Sequence, residues 1–290
     1  MNNSLSHPVI SNILTKLDSL SPKAQILGNY IIQKPSKAVF MTTRELAETC
    51  NISEATVTRF VSAIGYNGYT DFIRALRDFV NTGLTLPDRA DLQEDKGHGL
   101  EKFHHLVLEE LNDLKYLYET IDVKKMEQVV DCIAENSCVY VTGSRLSYTF
   151  AYYLGWSLSK IRKGIRILKG SDSTTIDILS SAPDNSLVIL IATTRYPNEL
   201  INLSRLVRRL GHTLVVLTDS SISPVIQFAS LSLVVPLKSI PFIGNPSNML
   251  CVIKYIVQAL ASGEGESLQK HQEQLEQIYL ENNILFNLKF

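Results

Sequence analysis

Three stretches of this chain carry residue types at spacings suited to chemistry. Two are hydroxyl-rich loops, Thr142-Gly143-Ser144-Arg145-Leu146-Ser147 and Thr193-Thr194-Arg195-Tyr196-Pro197-Asn198-Glu199. Each follows a short apolar run and precedes a helical pattern. A loop in that position offers hydroxyls and free backbone N–H groups at a helix N-terminus, where the helix dipole also attracts an anion, so it can hold a phosphate. Gly143 allows a sharp turn. Ser144, Ser147, Thr193 and Thr194 supply hydroxyls, and Arg195 can pair a phosphate or carboxylate. With Arg145 these form the candidate effector contacts. Thr218, Asp219 and Ser220 make a third loop of the same kind. Serines and threonines that merely cap helices would look alike.

The third stretch is Ser53-Glu54-Ala55-Thr56-Val57-Thr58-Arg59-Phe60, inside the segment Thr43 to Gly65. Leu46, Ala47, Ile52, Val57, Phe60 and Val61 have the spacing to pack two short helices against each other across a tight turn. Ser53, Glu54, Ala55, Thr56, Thr58 and Arg59 are then expected on the outside. A helix so presented can enter the major groove of duplex DNA with its N-terminal end at the bases. Ser and Thr can bond phosphates or base edges, Ala or a Thr methyl can touch thymine, and Arg59 can reach a phosphate or a guanine. A three-helix module used only for packing has the same spacing.

Other chemistry finds less support. An aldose–ketose isomerase needs a positioned base, usually Glu or His. Glu199 and His212 are the candidates, but Glu199 opens a helix where acids are favoured anyway. Cys50, Cys132, Cys138 and Cys251 show no C-x-x-C spacing and read as buried reduced thiols. His104 and His105 are adjacent on a helical pattern and point apart, so no metal site and no cofactor is expected. The first 80 residues hold eight Lys and Arg against six Asp and Glu, and the remainder twenty against twenty-three. A mildly basic front on an acidic body is compatible with nucleic-acid binding without requiring it. The N-terminus lacks a secretory pattern, and no apolar run is long enough to span a bilayer. No membrane association and a cytoplasmic location are expected.

The elements that must position these residues follow from periodicity. Ser21-Pro22 reads as an N-cap and first helical residue, and Pro35 ends that helix. Thr42 and Glu45 form a capping-box pattern before a second helix. Ser53 caps a third, which Gly65 stops, and a fourth follows Tyr69. From Thr82 to Gly99 the chain is rich in charge, glycine and proline with no apolar period, which marks a linker. Helical stripes resume at Phe103 and Met126. Apolar runs near 138–141, 165–168, 187–192, 214–217 and 231–235 then alternate with helices, the pattern of a parallel sheet covered on both faces. After Gly265 comes an amphipathic helix with Leu268, Leu275, Ile278 and Leu285 on one side.

Ser53-Glu54-Ala55-Thr56-Val57-Thr58-Arg59-Phe60, followed by Ile64-Gly65-Tyr66-Asn67-Gly68-Tyr69 and Phe72, resembles the N-terminal signature of the RpiR/MurR family of sugar-metabolism regulators. The resemblance extends over nearly the whole chain. It implies a C-terminal sugar isomerase (SIS) domain whose loops after the first and third strands bind a phosphosugar. By position that points to Ser144, Ser147, Thr193 and Thr194. Two departures stand out: G-S-R-L-S in place of a G-x-G-x-S loop, and Arg195 and Tyr196 where small residues are usual.

The expected architecture is an all-α helix-turn-helix domain (1–81), a linker (82–99), an α/β SIS domain with a five-stranded parallel sheet and helices on both faces (100–263), and a C-terminal helix (264–290). The expected function is transcription regulation, with a double-stranded DNA operator and a small phosphosugar-like effector as partners. The protein is expected as a homodimer or homotetramer, with the SIS-type isomerase as the rival reading.

Overall fold

The computed structural model describes residues 7–39, 41–83, 99–193, 195–237 and 246–285. They fall into two compact units that divide between Glu101 and Lys102. Most of the expected linker lies outside the described residues.

The first unit is helical: α1 (Pro8–Lys16), α2 (Pro22–Gln33), α3 (Pro35–Ala38), α4 (Thr43–Thr49), α5 (Glu54–Ala63) and α6 (Tyr69–Gly83). Pro8, Pro22 and Pro35 each open a helix, where the missing N–H costs nothing and φ is already set. Two of these helices go beyond the periodicity reading. Helix α1 buries Val9, Ile10 and Ile13 behind His7, whose Nδ1 accepts from the Val9 N–H. Pro35 does close α2, but it also starts the one-turn α3. The core joins Ile13, Leu27, Ile31, Leu46, Val57, Phe60, Phe72 and Leu76. Phe60 and Phe72 meet edge to face, with centroids 6.3 Å apart. Fully burying one such side chain contributes about 1.5–3 kcal/mol.

The second unit begins with α7 (Leu100–Thr120) and α8 (Val123–Glu135), then alternates: β1 (Val139–Gly143), α9 (Leu146–Ser159), β2 (Ile165–Lys169), α10 (Ser173–Ser180), β3 (Leu187–Ala192), α11 (Asn198–Arg209), β4 (Thr213–Thr218) and β5 (Leu231–Val234). Helices α12 (Ser247–Glu264) and α13 (Glu266–Glu281) follow. All strand pairs are parallel, in the order β2-β1-β3-β4-β5. Period-two alternation divides each strand between two cores. Val139, Val141, Ile189 and Val215 pack with α8, α9 and α12 on one face. Tyr140, Val188, Leu190, Leu214 and Val216 pack with α10 and α11 on the other. The expected five-stranded parallel sheet with helices on both faces is therefore present.

The cysteines and the C-terminal stripe differ from expectation. Of the four cysteines only Cys50 is buried, and Cys251 is exposed on α12. Leu285 lies beyond the end of α13 and does not share its stripe. Helix α13 packs on its own unit through Leu268. Lys160 also reaches it, donating to the Tyr279 hydroxyl at 2.6 Å.

Candidate functional site

The sheet order places the chain's reversal between β1 and β3. From β1 the chain moves out one way to β2, and from β3 the other way to β4. In an open parallel sheet, ligands bind in the crevice outside the carboxyl ends of the strands at that point. The two hydroxyl loops end β1 and β3, so the topology brings them together.

Ser144, Ser147 and Thr193 are all buried there. Ser147, in the first turn of α9, bridges the two loops. Its Oγ accepts from the Thr193 backbone N–H at 3.0 Å and lies 3.0 Å from Thr193 Oγ1. Ser144 Oγ is buried with no hydrogen-bond partner among the described residues. One strand over, Ala192 pairs with Thr218, whose Oγ1 is likewise buried and without a partner among the described residues. A buried hydroxyl without a partner costs about 1–3 kcal/mol, so two at one edge mark a place where a bound polar group would recover energy.

Gly143 serves a purpose other than the expected sharp turn. Its φ is not positive; the left-handed residues are Arg145 (φ 52°) and Arg195 (φ 60°). A Cβ on Gly143 would lie 2.7 Å from the Ser147 carbonyl oxygen. Glycine is needed because the first turn of α9 crosses directly over the strand end. Both arginine side chains are exposed. Thr194 lies outside the described residues.

Sequence reasoning missed the fourth participant. The Tyr196 hydroxyl donates to Asp219 Oδ1 at 2.7 Å, tying the loop after β3 to the loop after β4. Asp219 is 6% exposed. The signal was present in the Thr218-Asp219-Ser220 loop, but only the strand order shows that it adjoins the loop after β3.

The two rival bases are placed differently. His212 is buried before β4, at the opposite end of the strands, with Nε2 2.9 Å from the Leu179 carbonyl oxygen. Glu199 stands in the first turn of α11 with its carboxylate beside Gly170, on the hydroxyl-loop edge of the sheet.

The first unit holds the second candidate surface. Helix α4 starts with the expected capping box. The Thr42 N–H donates to Glu45 Oε2 at 2.6 Å, and the Glu45 N–H donates to Thr42 Oγ1 at 3.2 Å. The bond from the Thr42 backbone, then that from its hydroxyl, holds the Glu45 carboxyl below its ordinary pKa. Asn51, at φ 52°, turns the chain, and the Ile52 N–H closes on the Ala47 carbonyl at 2.9 Å. Ser53 caps α5, and Gly65 at φ 96° ends it. Behind these helices, Tyr69 donates to the Met41 carbonyl at 2.6 Å. Burial, and then the Glu45 charge, raises its pKa.

Ser53, Glu54, Ala55, Thr58 and Arg59 are exposed, as expected. Thr56 is not: it is 7% exposed, and its Oγ1 lies 2.9 Å from Ser53 Oγ. At the third position of α5 it faces inward beside Val57 and completes the cap. Thr43, which the spacing did not single out, donates to Glu54 Oε2 at 3.0 Å and links α4 to the start of α5. Arg59 Nε donates to the Ala55 carbonyl at 3.2 Å, which lays the exposed side chain along the helix.

Comparison with known proteins agrees with both halves. Residues 8–82 match the helix-turn-helix domain of the rpiR family, and residues 133–257 match the SIS domain. The chain is 23% identical over 269 residues to the HTH-type transcriptional regulator HexR of Pseudomonas aeruginosa, spanning 91% of this chain and 92% of that one. Its fold is similar to the Vibrio vulnificus NanR protein complexed with ManNAc-6P, with a TM-score of 0.56 at 19% identity over 93% of this chain and 98% of that one. It is also similar to the sugar isomerase domain of an RpiR transcription factor from Sphaerobacter thermophilus, with a TM-score of 0.56 at 22% identity over 60% and 97% of the two chains.

Proposed function

This chain is a helix-turn-helix transcription regulator of the rpiR family carrying a SIS domain, and we propose that a phosphorylated sugar held at the carboxyl edge of its sheet controls its grip on operator DNA. The observation that carries the effector reading is the Ser147–Thr193 bridge with the unpartnered hydroxyls of Ser144 and Thr218 beside it. Ser144 and Ser147 are neutral donors at the N-terminus of α9, with Thr193 and Thr218 at the adjoining strand ends, the usual equipment for a phosphate. NanR was solved with ManNAc-6P, which supports the same ligand class here. Arg145 and Arg195 on the flanking loops add positive charge, and Thr194 belongs to the same proposed contact set.

On DNA, the proposed reading face is Ser53, Glu54, Ala55, Thr58 and Arg59, with Thr56 behind it as a structural residue. Two such heads in a homodimer or homotetramer would meet half-sites about one helical turn apart. A ligand that changes their spacing or orientation changes operator affinity by its differential affinity for the two arrangements. We place the protein in the cytoplasm with no membrane partner; among the described residues no helix is long and apolar enough to cross one. We assign it no catalysis. His212 is remote from the loops, and Glu199 has no second acid or base beside it in the proposed contact set.

The test is operator binding by gel shift at fixed salt, with and without a panel of phosphosugars. A change in operator affinity with a phosphosugar is the expected outcome. Turnover of a phosphosugar by the purified protein, with no effect on DNA binding, would establish the isomerase instead.

A further inference from the structure

One side-chain bond joins the starts of α4 and α5. Thr43, the first residue of α4, donates from Oγ1 to Oε2 of Glu54, the first residue of α5, at 3.0 Å. We propose that Glu54, aimed by Thr43, specifies a cytosine at one position of each operator half-site. The inference rests on the reading face proposed above and names the base that one of its residues selects.

An acid in the first turn of a helix is favoured by the helix dipole alone. Three observations set Glu54 apart from that. Ser53 already caps α5, its Oγ accepting from the Thr56 N–H at 3.3 Å, so the Glu54 carboxylate is not needed by its own helix. The bond that holds the carboxylate comes from a different helix, 11 residues back, while Glu54 itself stays exposed. Among the described residues its other oxygen, Oε1, makes no hydrogen bond and no cation pairs with it. The nearby arginines are engaged elsewhere: Arg44 Nε bonds Glu48 Oε1 at 2.9 Å, and Arg59 Nε bonds the Ala55 carbonyl. The result is an oriented acceptor at the N-terminal end of α5, the end that meets base edges when such a helix enters the major groove.

A carboxylate on that face is repelled by the phosphates of every sequence alike. It gains only where a base offers a donor. In the major groove cytosine presents the N4 amino donor, adenine the N6 donor beside the N7 acceptor, and guanine and thymine only acceptors. A side chain that can only accept is matched by cytosine, partly opposed by adenine and fully opposed by guanine and thymine. Its charge rejects wrong bases as well as attracting the right one. Thr43 is a positioning residue: without its bond the Glu54 side chain turns freely, and discrimination falls while the fold persists.

The full-length protein, at fixed salt, is used to select from a pool of duplexes with a randomised central segment. Gel shifts then compare the recovered duplex with its single-base-pair variants. The expected result is one position in each half-site where C·G binds at least about fivefold more tightly than any other pair. Glu54→Gln should move that preference to A·T, because glutamine pairs bidentately with adenine, and leave the other positions unchanged. Thr43→Val should shrink the cytosine preference to within about threefold at that position alone, and Thr43→Ser, which keeps the hydroxyl, should retain it. A Glu54→Gln protein that binds every duplex more tightly, with no position altered, overturns the inference and leaves Glu54 as an acid that serves only the helix dipole. A cytosine preference that survives Thr43→Val intact overturns it too. If the wild type selects no duplex, the reading face itself is wrong and this inference falls with it.

Discussion

Gly143→Ala is the sharpest probe of the effector edge, because its consequences can be worked from the structure. The added Cβ would lie 2.7 Å from the Ser147 carbonyl oxygen, 2.8 Å from its carbon and 3.1 Å from the Tyr148 nitrogen. All three are backbone atoms in the first turn of α9, so no side chain can swing aside. Restoring ordinary contact near 3.4 Å requires a shift of about 0.7 Å. Ser147 holds the Thr193 N–H at 3.0 Å, so a displacement of that size directed away from β3 breaks the bond. Overpacking of this kind costs about 1–3 kcal/mol. Each kcal/mol is worth about 2–4 °C of thermal midpoint in a body of this size. The expected outcome is a fall of several degrees in the SIS unit, measured by calorimetry, together with weakened phosphosugar binding. Operator binding without effector should persist, since the helix-turn-helix core contains none of these atoms. A variant with wild-type midpoint and wild-type ligand affinity would show that α9 does not need this close approach, and the account of the cradle would be wrong.

The other predictions are simpler. Arg59→Ala should weaken operator binding by about 5- to 150-fold in the gel shift with no change in thermal midpoint, because the side chain is exposed and one such base contact is worth about 1–3 kcal/mol; an unchanged operator affinity refutes the reading face. Ser147→Ala removes the acceptor for the Thr193 N–H and should weaken effector affinity roughly tenfold, in line with losing one buried hydrogen bond; unaltered affinity by calorimetry would misplace the pocket. Glu45 is held below its ordinary pKa of 4.5 by Thr42, so its stabilisation is complete above that value and is lost as pH falls through the lower folded-state value. Denaturation of the helix-turn-helix unit between about pH 3 and pH 6 should show this loss, and Glu45→Gln should flatten that component; an identical pH profile in the variant counts against the capping box.

Much of the molecule is legible in the order of its residues. Local rules fixed the capping box at Thr42 and Glu45, the Ser53 cap, the Gly65 stop and the five strands, because each depends on residues within a few positions of one another. The same locality led to the error at Thr56. A hydroxyl at the third position of a helix reads as exposed until it is known which face the helix buries, and Val57 and Phe60 draw that face around to include it. Helix α1 was missed although His7-Pro8 and the Val9, Ile10, Ile13 stripe were in plain view.

The sequence alone determined that hydroxyl loops precede helices and that one short helix has a polar outer face. Tertiary structure decided which loops meet. Only the strand order β2-β1-β3-β4-β5 sets Ser147 against Thr193, 46 residues away, and Tyr196 against Asp219, 23 residues away. Spacing along a chain cannot encode such pairings. They arise when the central strands β1, β3 and β4 bury both faces at once, and that requirement is met by the sheet as a whole.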